Sequence, residues 1–202
     1  MGYRTERYGL ATISLGNTKL GTIPNVSTCP GRDCGDVPCR KKCYAHKALR
    51  QYKEVRNCWR RNSTNAKRNL DGFMEGVRDY LCDRSPKWFR WHVAGDIHSQ
   101  LYLDEMIAIA REYPDTKFLC FTKRHDMTYR KLPSNLSIVF SMWPGWGDAR
   151  KARNRGLPIA WMQDGKETRI PDDAIECPGH CDSCGMCWNL KKIGRDVYFP
   201  VH

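Results

Sequence analysis

Eight of the eleven cysteines fall in two short segments, residues 29–43 and 177–187. Cys177, Cys181, Cys184 and Cys187 have the spacing C-x3-C-x2-C-x2-C. Four thiolates in so short a run, with Gly179 and Gly185 to allow tight turns, are enough to wrap one centre. Tetrahedral zinc takes such a set, and so does a cubane iron–sulfur cluster, 4Fe-4S. The spacing does not choose between them, and His180 is a substitute ligand for zinc. Cys29, Cys34, Cys39 and Cys43 have the looser spacing C-x4-C-x4-C-x3-C. A zinc knuckle is normally tighter. A glycine-rich loop of this kind suits a cluster that leaves one iron open to a ligand. Tyr44, beside the last cysteine, is placed to shield such a cluster or to stack on a bound adenine. In a reducing cytoplasm, clustered cysteines read as ligands before disulfides. The three scattered cysteines, Cys58, Cys82 and Cys120, are expected in the core.

Other residues invite chemistry less sharply. Lys123 and Arg124 are candidates to grip a carboxylate or phosphate, Arg124 reading better as an exposed basic turn. His92, Asp96 and His98 make a conceivable metal site, but a strand histidine is more often a satisfied core residue. His98 also suits proton handling beside a cavity. The Trp143-Pro144-Gly145-Trp146 turn has the makings of a lid over a flat substrate, although packing explains most tryptophans equally well. No Walker-type phosphate loop is present, which argues against an ATPase.

These residues need a scaffold, and the hydrophobic pattern describes one. Strands are expected at residues 10–15, 88–94, 117–122, 136–141 and 158–163, with VYF near the C-terminus as a sixth. A long loop over residues 16–40 carries the first cysteines. Helical periodicity starts near Cys43 and continues through Trp59. A second helix runs from Ala66 to Leu81 and is closed by Pro86. Ser99 caps a third that extends to Tyr113, and a short basic helix lies between Asp148 and Arg155. Strands alternating with helices imply parallel pairing and right-handed crossovers. The expected fold is α/β, a partial, open βα-barrel of about five or six mostly parallel strands with cysteine-rich loops near both ends. An open doubly wound sheet is the alternative. Residues 1–170 form the barrel with its cysteine loop, and residues 171–202 a cysteine-rich segment packed on it. Either fold places the site at the C-terminal strand ends. Those ends carry Gly95-Asp96, Thr122-Lys123-Arg124, Ser141-Met142-Trp143 and Gln163-Asp164.

At 202 residues and 41% hydrophobic content, a sizeable core is affordable. The start lacks a signal-peptide pattern, and no apolar run reaches the ~18 residues of a membrane span, so a cytoplasmic protein is expected. Net charge is +12. Residues 40–70 hold eleven lysines and arginines against one acid, Glu54. Such a field favours an anionic substrate, a nucleotide or nucleic acid, or an acidic partner such as an electron-donor protein.

The segments CPGRDCGDVPCRKKCYA, RWHVAGD, FTKR and CDSCGMCW, in this order, resemble a family of small phage proteins named after gene product eighty-eight of a mycobacteriophage. They also resemble related phage proteins with a three-cysteine motif. The resemblance runs roughly from Lys19 to Trp188. It implies a minimal relative of radical S-adenosylmethionine (SAM) enzymes, in a host cytoplasm, with a partial βα-barrel and an iron–sulfur cluster. The family's C-x3-C-Y-A element falls on Cys39, Cys43, Tyr44 and Ala45, and its leading cysteine on Cys29. Cys34 has no counterpart, and no three cysteines of the loop give the usual radical SAM spacing C-x3-C-x2-C. Gly95-Asp96 falls where such enzymes often carry a Gly-Gly-Glu element that holds the SAM amino group; a helix N-cap is the competing reading. The implied activity is a radical-SAM-like reaction, with the C-terminal group holding a second cluster or a structural zinc. The rival reading is a non-catalytic nucleic-acid-binding module with structural metal sites.

Overall fold

The computed structural model describes residues 3–31, 34, 37, 39, 43–163 and 170–200. Nine strands form one sheet in the order β1-β2-β3-β4-β5-β6-β7-β9-β8. The strands are β1 (Thr5–Tyr8), β2 (Ala11–Ser14), β3 (Asn25–Val26), β4 (Trp88–Trp91), β5 (Lys117–Thr122), β6 (Leu136–Met142), β7 (Ile159–Met162), β8 (Ile175–Glu176) and β9 (Val197–Phe199). The β1-β2 and β2-β3 pairs are antiparallel; every other pair is parallel. β1 and β8 are the two edges of the sheet. The α/β class and the mostly parallel pairing match expectation. The sheet is open, and it has more strands than the expected five or six.

The extra strands have physical reasons. β1 folds back on β2 around Gly9, whose φ is +51°. β3 is two residues long and lies inside the loop expected over residues 16–40. It forms because β2 and β4 flank it: Arg90 N donates to Pro24 O at 3.0 Å and His92 N to Val26 O at 2.9 Å. So short a run has no period of its own. β4 stops at Trp91, short of the expected residue 94, because His92 takes φ +55°.

Among the described residues the α-helices are α1 (Tyr44–Gln51), α2 (Lys53–Arg68), α3 (Leu70–Arg84), α4 (Gln100–Glu112), α5 (Ala149–Asn154), α6 (Cys181–Cys184) and α7 (Leu190–Ile193). The helix expected from Cys43 to Trp59 is broken at Tyr52, which adopts extended backbone between α1 and α2. Ser99 caps α4 as the sequence suggests, accepting from Tyr102 N. Asp148 caps α5, accepting from Arg150 N.

The main core lies between the sheet and α2, α3 and α4, with Phe73, Phe89, Trp91, Tyr102 and Phe118 fully buried. A smaller core on the sheet's other side gathers Leu119, Val139, Ala160, Trp188 and Val197. Burying large aromatic side chains is the main stabilising contribution, about 1.5–3 kcal/mol for each large apolar group. Cys58 and Cys120 are buried as expected. Cys82 is not: it lies on the solvent face of α3, one residue past buried Leu81. Among the described residues no helix is long and apolar enough to cross a membrane.

Candidate metal and cofactor sites

Two zippers fix the start of the first cysteine loop. Thr28 N donates to Ala94 O at 3.0 Å. The Ser27 hydroxyl accepts from Val93 N at 3.1 Å and from Ala94 N at 3.4 Å. Beyond them, Cys29 N donates to the Ser63 hydroxyl on α2 at 2.6 Å. Asn62, fully buried next to Ser63, ties α2 to β2 and to the loop. Its oxygen accepts from Thr12 N at 2.9 Å, and its nitrogen donates to Thr12 O at 2.8 Å and to Ser27 O at 3.0 Å. Cys29 therefore stands directly beyond β3, beside the turn that follows β4.

That turn holds Gly95 and Asp96. Gly95 has φ +83°, and a Cβ there would lie 1.9 Å from Thr28 Oγ1. Only glycine permits this approach of the β4 turn to the cysteine loop. Asp96 is fully buried. Its Oδ1 accepts from the Thr122 hydroxyl at 2.7 Å and from Ile97 N at 2.8 Å, and its Oδ2 from Lys123 N at 2.8 Å. The carboxylate thus ties the end of β4 to the end of β5. It is not a helix N-cap; Ser99 has that role. A carboxylate offers about four lone-pair sites, so one remains for a ligand. Burial pushes the Asp96 carboxyl up, and the Lys123 ammonium opposes this.

The same ammonium acts on the cysteines. Cys34 and Cys39 are buried together with Val37, beneath Trp143 and Trp146. Burial pushes the Cys34 thiol up to about 12, with Asp96 adding to the rise and Lys123 opposing it. Cys39 is raised by burial too, and Lys123 opposes that as well. Lys123 is therefore the cation that serves a buried carboxylate and two buried thiols. Cys43 packs at the start of α1 against Ala45, Val55, Trp59 and Ala94. Cys29, Cys34, Cys39, Cys43, Gly95, Asp96 and Lys123 thus gather at one end of the sheet. Tyr44 opens α1, but its side chain lies outside the described residues, as do Asp164, Arg40, Lys41 and Lys42.

The lid and its neighbours adjoin this end. Trp143 and Trp146 exchange two backbone hydrogen bonds, of 3.3 and 2.9 Å. His125 stacks on Phe140 at 4.5 Å and meets Trp146 edge-on at 5.1 Å. Its Nε2 lies 3.3 Å from Ser141 O. Burial lowers its pKa. His125 Nδ1 and Trp143 Nε1 are buried with no hydrogen-bond partner among the described residues. Both atoms lie at the Trp143–Trp146 turn, next to Cys34 and Cys39. Arg124 is less exposed than its sequence suggests. It grips Asp126 at 2.7 and 2.8 Å and donates to Ile97 O at 2.8 Å, a structural clasp. His92 and His98 do not share a strand face with Asp96, since β4 ends before them; His98 lies edge-on against Tyr102 at 4.8 Å.

The C-terminal group closes around its own small space. Cys177 N donates to Tyr198 O on β9 at 2.9 Å, and Cys181 N to Lys19 O at 2.8 Å. α6 is a single turn between Cys181 and Cys184, ended by left-handed Gly185. Cys187 lies in the 3-10 turn Met186–Trp188, and its carbonyl accepts from the Ser137 hydroxyl at 2.9 Å. Trp188 stacks on Trp88 at 5.5 Å and seals the inner side. All four cysteines and His180 line one cavity of about 20 Å³, room for one water-sized body. Burial pushes Cys187 up to about 12 and raises Cys181; the Arg90 guanidinium opposes both shifts. Arg90 also covers Phe121 at 4.5 Å. It was missed in the sequence, although an arginine inside the aromatic strand WFRW was a visible signal.

Among the described residues no three His, Cys, Asp or Glu side chains stand close enough to hold a metal ion as they are placed. The fit is one of donor chemistry. Four soft thiols face one void in the C-terminal group, and desolvated thiols sit beside a lysine in the first. Such thiols ionise when a metal takes the proton's place.

The chain matches no curated protein and no solved structure. Residues 5–190 match the family described as Gene product 88, which spans both cysteine groups and every strand except β9. The chain belongs to the Gene product 88 family.

Proposed function

We propose that the chain is an iron–sulfur enzyme of radical-SAM-like type, acting in a reducing host cytoplasm on an anionic substrate. The observation that carries this reading is the convergence of Cys34 and Cys39 on Asp96 and Lys123. The cluster would be held by cysteines of the first loop, with Cys34 as fourth ligand or spare thiol. A reduced cluster held there would, with SAM, supply a substrate radical by one-electron reductive cleavage, the electron coming from a donor protein. The chain's own groups do the rest. Asp96 has one acceptor position for an ammonium, and Lys123 is a cation for a carboxylate. His125 Nδ1 and Trp143 Nε1 offer polar contacts to a planar substrate beneath the Trp143–Trp146 turn. The partly buried rings of Trp143 and Trp146 shield that face from water.

The C-terminal group is read as the second centre. Its four thiols suit either one zinc ion or a second iron–sulfur cluster, and either requires the thiols to draw together. Arg90 compensates the negative charge that four thiolates bring.

The test is electron paramagnetic resonance of reduced protein prepared without oxygen, with and without SAM. A cluster signal that shifts when SAM is added is expected. A cluster signal indifferent to SAM overturns the SAM assignment and leaves electron transfer to a partner protein as the better account.

A further inference from the structure

Six cations of α1 and α2 have no carboxylate partner among the described residues. Lys47, Arg50, Lys53, Arg60, Arg61 and Arg68 are exposed, and none has an ion pair with a described carboxylate. Some arginines elsewhere are paired, Arg78 with Glu105 and Glu112, Arg84 with Glu6, Arg124 with Asp126 and Arg153 with Asp196. What sets α1 and α2 apart is density: six such cations fall within residues 47–68.

Geometry arranges these cations as a track. On α2, Lys53 and Arg60, and likewise Arg61 and Arg68, are seven residues apart, and all four fall within one face of the helix. The opposite face, with Val55, Cys58, Trp59, Asn62 and Ser63, is buried. The helix is 16 residues long, about 24 Å at 1.5 Å per residue. At the break between α1 and α2 stands Tyr52, 54% exposed. It is flanked in sequence by Arg50 and Lys53. Burying this ring would be favourable, yet the fold leaves it in solvent amid positive charge. Basic side chains that follow a backbone, interleaved with an aromatic ring for a base, are the recognition set of single-stranded nucleic acid. A duplex hides its base faces and has no use for the ring. On its buried face α2 holds Cys29 through Ser63, so the helix that carries the track also fixes the start of the first cysteine loop.

We propose that the exposed face of α1 and α2 is a docking track for single-stranded nucleic acid, with Tyr52 as its base-stacking platform. This names the anionic substrate class of the enzyme reading, but its binding does not depend on a cluster. It can therefore fail while that reading stands.

The experiment is fluorescence anisotropy of the full chain with labelled single-stranded DNA, single-stranded RNA and duplex DNA of about twelve nucleotides, across a salt series. Single strands are expected to bind more tightly than the duplex, with log K falling against log salt at a slope of about −4 for six phosphate contacts. The double variant R60Q/R61Q is expected to lower that slope by about 1.4 units. K53Q/R68Q is a second pair that acts in the same way. Tyr52→Ala is expected to weaken single-strand binding on the order of tenfold with the slope unchanged, while Tyr52→Phe retains it. All variants are compared at equal melting midpoint. Preference for DNA over RNA, or the reverse, identifies the natural strand. Duplex binding as tight as single-strand binding, no loss with Tyr52→Ala, or equal displacement by polyglutamate overturns the proposal.

Discussion

Asp96 is the residue on which the first site turns. Its two oxygens accept three hydrogen bonds, two of them from backbone N–H groups. Asp96→Asn turns an acceptor into an N–H donor that faces Lys123 N or Ile97 N. Leaving buried donors unpaired costs about 2–3 kcal/mol, and a chain of this size loses about 5–10 °C of melting temperature for that. A thermal melt of the two proteins checks it; an unchanged midpoint contradicts the clasp. Gly95 makes a second residue-level test. Gly95→Ala meets Thr28 Oγ1 at 1.9 Å and Thr28 C at 3.0 Å, whereas Gly156→Ala, also at positive φ, meets nothing within 4 Å. Gly156→Ala is expected to cost about 1 kcal/mol and Gly95→Ala several times more, compared by denaturant titration. At this scale the sequence was legible where spacing carries meaning. The cysteine groups, Gly95-Asp96 and Lys123 all stood out before any coordinates. His125, Ser63, Thr28 and Arg90 did not, because only the fold brings them near the cysteines.

Helix α3 meets α4 through Arg78, which grips Glu112 at 2.6 and 2.9 Å and Glu105 at 3.0 Å. The Arg78 hydrogen bond holds the Glu112 carboxyl below its usual value. A depressed carboxyl contributes stability above its unfolded pKa, near 4.3, and loses it as pH falls through the folded value. Arg78→Met is therefore expected to flatten the acid limb of a stability–pH curve. At neutral pH the loss is small, under about 1 kcal/mol, because the pair is solvent-screened. An acid limb identical in the two proteins contradicts the clasp. Among elements, β5, β6, β7 and β9 were legible, since runs such as KFLCFT bury almost every residue. The break at Tyr52 was not. α1 and α2 share one apolar period in which Tyr52 counts as an apolar position, yet the ring stands in solvent at the break. β3 was hidden for the reason that it borrows its hydrogen bonds from its neighbours.

On the whole-molecule scale, the parallel strands collect their C-terminal ends on one side, and the first cysteine loop lies there. The alternation of strand and helix conveyed this. What it did not convey was the number of strands: β1 and β8 are short edge additions fixed by tertiary pairing. The excess positive charge is densest along α1 and α2, where six exposed cations have no carboxylate partner among the described residues. The central claim is that the two cysteine groups are metal–thiolate centres, the first of them an iron–sulfur cluster. The most direct measurement is iron, zinc and acid-labile sulfide per chain after purification without oxygen, in the native protein and in a C39A/C43A variant. The account predicts iron matched by sulfide, lost in the variant, while the metal of the C-terminal group remains. Zinc alone, with no iron or sulfide even after reconstitution, would contradict it.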